Sequence, residues 1–259
     1  MNRKRFVYWL ISIIVTLALI IYIWFSDDEY YMFYTLLGMG LIFPNFTFKK
    51  IEKRKLMEII VDYSQTGNVK KYLDSLSLFN KKMVKNKKNK YFDLISYAHA
   101  YMDMGNFEGA KDILDKLVEE EPRFTSLIRF FYYRAWINYF LNYGLDGEAK
   151  KLLDQLKAMI ELAAPQLRQQ YIINYQILVA KYNIRCDVLL IETKATLKQI
   201  IDANPTPLMT ASTSYYVGII EYKLGNFSEA KSIFNEVAKF NEQLHFVVKA
   251  KEYLHRLSE

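Results

Sequence analysis

His99 and Asp103 are the two side chains whose types and spacing best suit chemistry. They lie four positions apart, so in a helix they share one face, where an imidazole beside a carboxylate could bind a metal ion or transfer a proton. The same spacing is more often a hydrogen bond on a helix surface. With His245 and His255 the chain has three histidines in all, which is little material for a metal cluster or a catalytic dyad.

Motifs that mark catalytic sites are missing from the sequence. It contains no HExxH, GxxxxGK[ST] or GxSxG, and no GxGxxG after a strand pattern. Cys186 is the single cysteine, which excludes an intrachain disulfide and a cysteine-rich metal site. We therefore expect no catalytic residue, no cofactor and no metal, and an enzyme with an unrecognised site is the less favoured alternative.

The positive charge of the chain is concentrated in residues 49–90. This segment has thirteen Lys and Arg residues against four acidic ones, whereas residues 1–48 are balanced and residues 91–259 are slightly acidic. Such a block next to a hydrophobic N-terminus indicates attraction to anionic lipid headgroups rather than to nucleic acid, for which no motif is present. The residues expected at the membrane surface are Lys49, Lys50, Lys53, Arg54 and Lys55.

Two uncharged segments near the N-terminus predict a transmembrane hairpin. Residues 6–25 are 20 in number, enough for a helix to cross the hydrocarbon layer, and residues 30–46 form a shorter second span. Basic residues flank the pair on both sides, and the turn SDDE between the spans is acidic. The positive-inside rule then places both termini and residues 49–259 on the cytoplasmic side of a cell membrane.

The remaining chain predicts helical hairpins. The segments GNFEGAKDIL, from Gly105, and GNFSEAKSIF, from Gly225, are similar, and each follows an aromatic helical stretch. A glycine after one helix suits the left-handed conformation there, and the asparagine after it caps the next helix.

Five second helices are predicted by apolar residues at offsets of 0, +4 and +7, which lie on one face of a helix. The sets are Tyr72, Leu76, Phe79; Ala110, Leu114, Leu117; Ala149, Leu153, Leu156; Thr193, Leu197, Ile200; and Ala230, Phe234, Val237. Residues 244–257 predict one further helix that covers the end of the array. The expected fold is therefore all-α, with a transmembrane hairpin at 1–48, a basic segment and first helix pair at 49–90, and a repeat domain at 91–259.

The hairpin pattern resembles the tetratricopeptide repeat of bacterial-type membrane proteins. The resemblance is good at residues 91–122 and 211–240, moderate at 53–85, and weak around Ala149 and Thr193. The first residues of successive apolar sets are 38, 39, 44 and 37 residues apart. These spacings exceed the 34-residue period of the family. The resemblance implies an α-solenoid of about five helix pairs with a concave groove lined by the first helices.

The resemblance also implies a function, which is to bind another protein or a peptide in that groove. The expected contact residues are Phe92, His99, Met102, Asp103, Tyr133, Tyr215, Ile219, Tyr222 and Lys223. The favoured interpretation is a membrane-anchored scaffold for protein–protein interaction on the cytoplasmic side. A regulatory receptor for a short peptide and a domain that only self-associates into a homo-oligomer are the alternatives.

Overall fold

The computed structural model describes residues 14, 51, 53–82, 87–203 and 205–259. The predicted spans 6–25 and 30–46 lie outside the described residues, apart from Ile14. None of the helices within the described ranges is both long enough and apolar enough to cross a membrane.

All regular structure in the described ranges is helical. Residues 53–66 form α1, and the helices that follow are α2 (Val69–Lys82), α3 (Lys87–Asp103), α4 (Phe107–Asp115), α5 (Ser126–Tyr143), α6 (Asp146–Glu161), α7 (Pro165–Arg185), α8 (Leu190–Asp202), α9 (Pro207–Lys223), α10 (Phe227–Val237) and α11 (His245–Arg256), with a 3₁₀ helix at Val118–Arg123. The order gives five helix pairs and a final single helix, as the periodicity predicted.

The chain divides into two compact units. One comprises Met1–Val61 and Ser75–Lys85, and the other, called the repeat unit below, comprises Asp62–Asp74 and Asn86–Glu259. Within the repeat unit, the Tyr63 and Tyr72 rings stack at 4.4 Å, and the Tyr63 hydroxyl donates a hydrogen bond to Asp103.

Helices of the repeat unit form two layers that differ in how their apolar residues are distributed. The first helices α3, α5, α7 and α9 pack side by side, and the second helices α4, α6, α8 and α10 pack against them. In α5 every residue from Ile128 to Leu141 is at least half-buried, so this helix has no solvent-facing side along its middle. In α4 and α10 the apolar residues keep to one face, which is typical of an outer helix.

The apolar faces predicted for the second helices are confirmed in the repeat unit. All twelve residues of the last four sets are buried, Thr193 included; eleven lie in α4, α6, α8 and α10, and Leu117 lies just after α4. Gly218 in α9 lies where α10 crosses, and a β-carbon there would come within 2.7 Å of the Phe234 ring. The small residue therefore lets the two helices approach closely.

The turn chemistry is confirmed in part. Gly105 and Gly225 both have a φ of +79°, the left-handed conformation that was predicted. Asn106 caps α4, because its side-chain oxygen accepts a hydrogen bond from the Gly109 amide at 3.0 Å. Asn226 also occupies the N-cap position of α10, but its side chain makes no capping bond and its amide instead donates to the Glu221 carboxylate at 2.8 Å.

The last helix does more than cover the end of the array. It packs against α9 and α10 and also contacts α3, which is eight helices earlier in the chain. The His245 ring meets Phe107 edge-on at 5.2 Å and lies against Gly105, where a β-carbon would clash with it. The two ends of the repeat unit are thus in contact, and the first-helix layer has no open end there.

Candidate functional site

Three of the predicted groove residues belong to the hydrophobic core. Met102, Tyr215 and Ile219 are 6%, 8% and 8% exposed. Met102 packs with α4 and α5, while Tyr215 and Ile219 pack with α10 and its neighbours. The prediction that they line the groove is corrected, because the first helices are covered on several sides and most of their apolar residues face a neighbouring helix.

Four other predicted residues are engaged at helix contacts. Phe92 meets the Phe131 ring edge-on at 6.1 Å, and the Tyr133 hydroxyl donates to Glu121 at 3.0 Å. Tyr222 packs between Phe227 and Tyr253, and Lys223 forms an ion pair with Asp187. These side chains join helices together and are not gathered in one place.

His99 and Asp103 lie on a common face of α3, yet each has a different partner. His99 Nε2 is 3.0 Å from the Phe131 carbonyl oxygen, which fits donation by the ring N–H. Asp103 Oδ2 accepts a hydrogen bond from the Tyr63 hydroxyl at 2.6 Å. Within the described ranges no group of three or more His, Cys, Asp or Glu residues is placed to hold a metal ion.

Further polar contacts join the next first helices, and their cations act on His99 and Asp103 through their charge. Arg134 in α5 donates to the Asn174 amide oxygen in α7 at 2.9 Å, and Lys181 in α7 donates to the Asn138 amide oxygen in α5 at 2.7 Å. The Lys181 ammonium also lies 5.0 Å from the centre of the Tyr216 ring in α9. We call this set the polar line: Tyr63, His99, Asp103, Arg134, Asn138, Asn174, Lys181 and Tyr216.

Burial governs the ionisation of the polar line. It lowers the pKa of His99 to about 3, helped by the positive charge of Arg134, so the imidazole is neutral near pH 7. Burial also raises the pKa of Asp103, against the opposing effects of the Tyr63 hydrogen bond and of Arg134. Burial lowers the pKa of Arg134, and the negative charge of Asp103 acts in the opposite direction and raises it. The set therefore holds charge away from bulk water.

Sequence reasoning found His99 and Asp103 but missed the other members of the polar line. One sequence offset could have found Asn138. It precedes Ala149, the first residue of its apolar set, by eleven residues, just as His99 precedes Ala110. That offset fails in the later pairs, where it falls on Tyr182 and on the buried Ile219. The helix α7 is 21 residues long, longer than α5 with 18 and α9 with 17.

The basic residues expected at a membrane surface are only partly described. Lys53, Arg54 and Lys55 are exposed on α1, and Arg54 pairs with Glu58 one turn on, at 3.1 Å. Lys49 and Lys50 lie outside the described residues.

A cleft of about 740 Å³ lies elsewhere in the repeat unit, beside the start of α9 and the end of α10. Its lining includes Thr206, Thr210, Ser214 and Glu236, and Glu236 is paired with Lys239. None of the predicted groove residues and no member of the polar line borders it.

Comparison with known proteins gives one match. Residues 94–124, from α3 to the end of the 3₁₀ helix, match the tetratricopeptide repeat family. This segment includes His99 and Asp103, and it overlaps the predicted repeat at residues 91–122. No curated protein and no solved structure matches the chain significantly. The repeat supports a tetratricopeptide-repeat protein and a role in protein–protein interaction.

Proposed function

We propose that the chain is a membrane-anchored scaffold whose repeat unit binds a protein partner through the polar line, and that it catalyses no reaction. The polar line is the observation that carries this proposal. Four successive first helices, with α1, contribute half-buried polar side chains that are linked in pairs by hydrogen bonds and to one another by charge, whereas most apolar residues of these helices are used in packing. Such a surface can exchange its internal hydrogen bonds for bonds to a polypeptide backbone.

The membrane part of the proposal rests on the sequence of residues 1–55. The uncharged segments 6–25 and 30–46 would form the hairpin, and the basic flanks would keep the repeat unit on the cytoplasmic side. Lys53, Arg54 and Lys55 are exposed and would lie near anionic headgroups, each contributing about 1 kcal/mol of attraction at the surface.

A receptor for a short peptide is the second candidate function. It is favoured by the contact of α11 with α3 and α4, because this contact joins the two ends of the repeat unit and could respond to a small ligand. A peptide that stabilises this contact could shift the conformation of other surfaces of the chain. Saturable binding of a short synthetic peptide would favour this candidate over the scaffold.

One experiment on membranes tests anchoring and partner binding together. Membranes from cells that produce the full chain are washed with alkaline carbonate, and we expect the chain to stay in the pellet because two spans resist extraction. A chain that leaves with the wash contradicts the anchor.

The same membranes are then crosslinked, and the partners that co-purify are compared between variants. The change Asn138→Trp places a bulky neutral side chain in the polar line, and we expect it to remove the specific partner. Lys198→Trp, at an exposed position of α8, is the matched control and should keep the partner. Circular dichroism must show both variants folded. Equal recovery from the two variants would place the binding surface away from the polar line.

A further inference from the structure

Exposed apolar side chains collect at two neighbouring turns of the repeat unit. The turn from α7 to α8 carries Val188, Leu189 and Ile191, and the last two are 62% and 66% exposed. The turn from α9 to α10 carries Leu224 and Phe227, which are also exposed. Single apolar residues are ordinary on a protein surface, whereas a group of them marks an interaction site. We call these five residues the turn patch.

An ion pair holds the two turns side by side. Asp187 pairs with Lys223, and these two residues directly precede Val188 and Leu224 in the chain. The apolar side chains of both turns therefore lie on the same edge of the repeat unit. None of them belongs to the polar line, so the turn patch is a second surface.

The turn from α7 to α8 has an unusual backbone. In the turns from α3 to α4, from α5 to α6 and from α9 to α10, the residue with a positive φ is Gly105, Gly144 or Gly225. In the turn from α7 to α8, Asp187 and Leu189 have φ values of +55° and +50°. This conformation raises the free energy of a residue with a side chain. Because the Leu189 side chain is mostly exposed, burial in the core does not explain a leucine at this position.

Acidic residues border the turn patch. Glu192 and Glu229 are the third residues of α8 and α10, whose first turns carry part of the patch, and both are exposed. Within the described ranges neither forms an ion pair, whereas Lys223 is already paired with Asp187. The two carboxylates stabilise the starts of their helices, and they also make the surroundings of the patch negative.

This charge distinguishes among the surfaces that could cover the turn patch. Glu192 and Glu229 would repel anionic lipid headgroups. The repeat unit of a second copy would bring another slightly acidic surface, because residues 91–259 hold more acidic than basic residues. A helix with apolar residues on one side and Lys or Arg residues beside them matches both features of the patch.

We propose that the turn patch binds a basic amphipathic helix of a partner protein. The apolar side of that helix packs on Leu189, Ile191 and Phe227, and its Lys or Arg side chains approach Glu192 and Glu229. Burial of the apolar side chains supplies affinity, and the opposite charges select a basic helix over an acidic one. The inference goes beyond the proposed function, because it adds a second binding surface outside the polar line.

Synthetic helices provide the test, with the full chain in phosphatidylcholine nanodiscs. The probe is a fluorescein-labelled peptide of about four helical turns, with Leu on one side and Lys and Ala elsewhere. Its control has the same residues in an order that gives no apolar side. After binding to empty nanodiscs is subtracted, we expect the probe to bind at least about tenfold more tightly than the control, by fluorescence anisotropy. Equal affinities would overturn the inference.

Two double variants separate the turn patch from exposed apolar surface in general. Leu189→Gly with Ile191→Ser should reduce the affinity for the probe at least about tenfold. Leu162→Gly with Val118→Ser removes exposed apolar side chains after α6 and α4 and should change the affinity less than about twofold. Since glycine suits the φ of position 189, circular dichroism should show the first variant unfolding at no lower temperature than the natural sequence. Equal losses of affinity would contradict the inference.

A second pair of variants tests the acidic border and decides the question if the first pair does not fold. Glu192→Gln with Glu229→Gln should weaken binding of the probe at least about threefold. Glu161→Gln with Asp202→Asn neutralises exposed carboxylates at the other ends of α6 and α8 and should have less than half of that effect. The same effect in both variants would show that the border does not select the helix.

Photocrosslinking in intact membranes identifies what covers the turn patch. A photoreactive amino acid in place of Leu189 should join the chain to a different protein, and mass spectrometry should locate the crosslink in a basic amphipathic segment. The same amino acid in place of Leu162 is the control and should not capture that protein. An adduct with a second copy of the chain, an adduct with lipid, or the absence of a protein adduct from position 189 would overturn the inference.

Discussion

Replacing Phe234 with alanine is expected to lower the local free energy of unfolding around α10 by about 3–5 kcal/mol. The side chain is fully buried, stacks on Tyr253 at 4.9 Å, and fills the space that Gly218 leaves in α9. Its loss therefore opens a cavity where α9, α10 and α11 meet. Hydrogen exchange measured by mass spectrometry should show the protection of α10 amides falling by about a hundredfold to a few thousandfold.

The matched control for this change is Phe227→Ala. Phe227 begins the same helix and is 53% exposed, so its removal should cost less than about 1 kcal/mol. Comparable losses of protection in the two variants would show that Phe234 does not hold the three helices together.

The free energy of unfolding is expected to fall between pH 7 and pH 5, and replacing His99 with glutamine should make that fall about 2 kcal/mol smaller. The pKa of His99 is about 3 in the fold and near 6.5 in an unfolded chain. A lowered histidine pKa contributes stability that is present above about pH 6.5 and is lost as the pH falls toward 3, since only the unfolded chain takes up the proton. Glutamine keeps a donor for the Phe131 carbonyl but does not titrate.

Urea unfolding of the full chain at pH 7 and pH 5 measures this difference. Trp136 lies in α5, the helix that His99 contacts through the Phe131 carbonyl, and its fluorescence reports on this region once Trp9 and Trp24 are replaced by phenylalanine. His255→Gln changes a side chain that is 80% exposed and serves as the control, which should keep the pH dependence of the natural sequence. If His99→Gln is as acid-sensitive as this control, His99 is not kept neutral by burial.

The sequence predicted the parts of the fold that depend on local pattern. The buried faces of α4, α6, α8 and α10 follow from apolar spacing, and Gly105 and Gly225 follow from the need for a left-handed residue between helices. Asn226 shows where such reasoning stops. Its motif is the same as that of Asn106, but the nearby Glu221 carboxylate, itself buried, takes the asparagine side chain as a partner.

The polar line could not be predicted in the same way. First helices such as α5 are covered on several sides, so their apolar residues show no single face and the groove positions cannot be read from periodicity. Contacts such as Tyr63 with Asp103 and Arg134 with Asn174 join residues 40 positions apart. The return of α11 to α3 depends on how the rotation between helix pairs accumulates along the whole repeat unit, which no single segment specifies.

Site-specific photocrosslinking in intact membranes tests most directly whether the polar line is the partner surface. A photoreactive amino acid is placed at Asn174 in the polar line or at the exposed Lys198 in α8, in the full chain. We expect irradiation to join a partner polypeptide to the chain from position 174 and not from position 198. An adduct that forms from position 198 and not from position 174 would contradict the proposed binding surface.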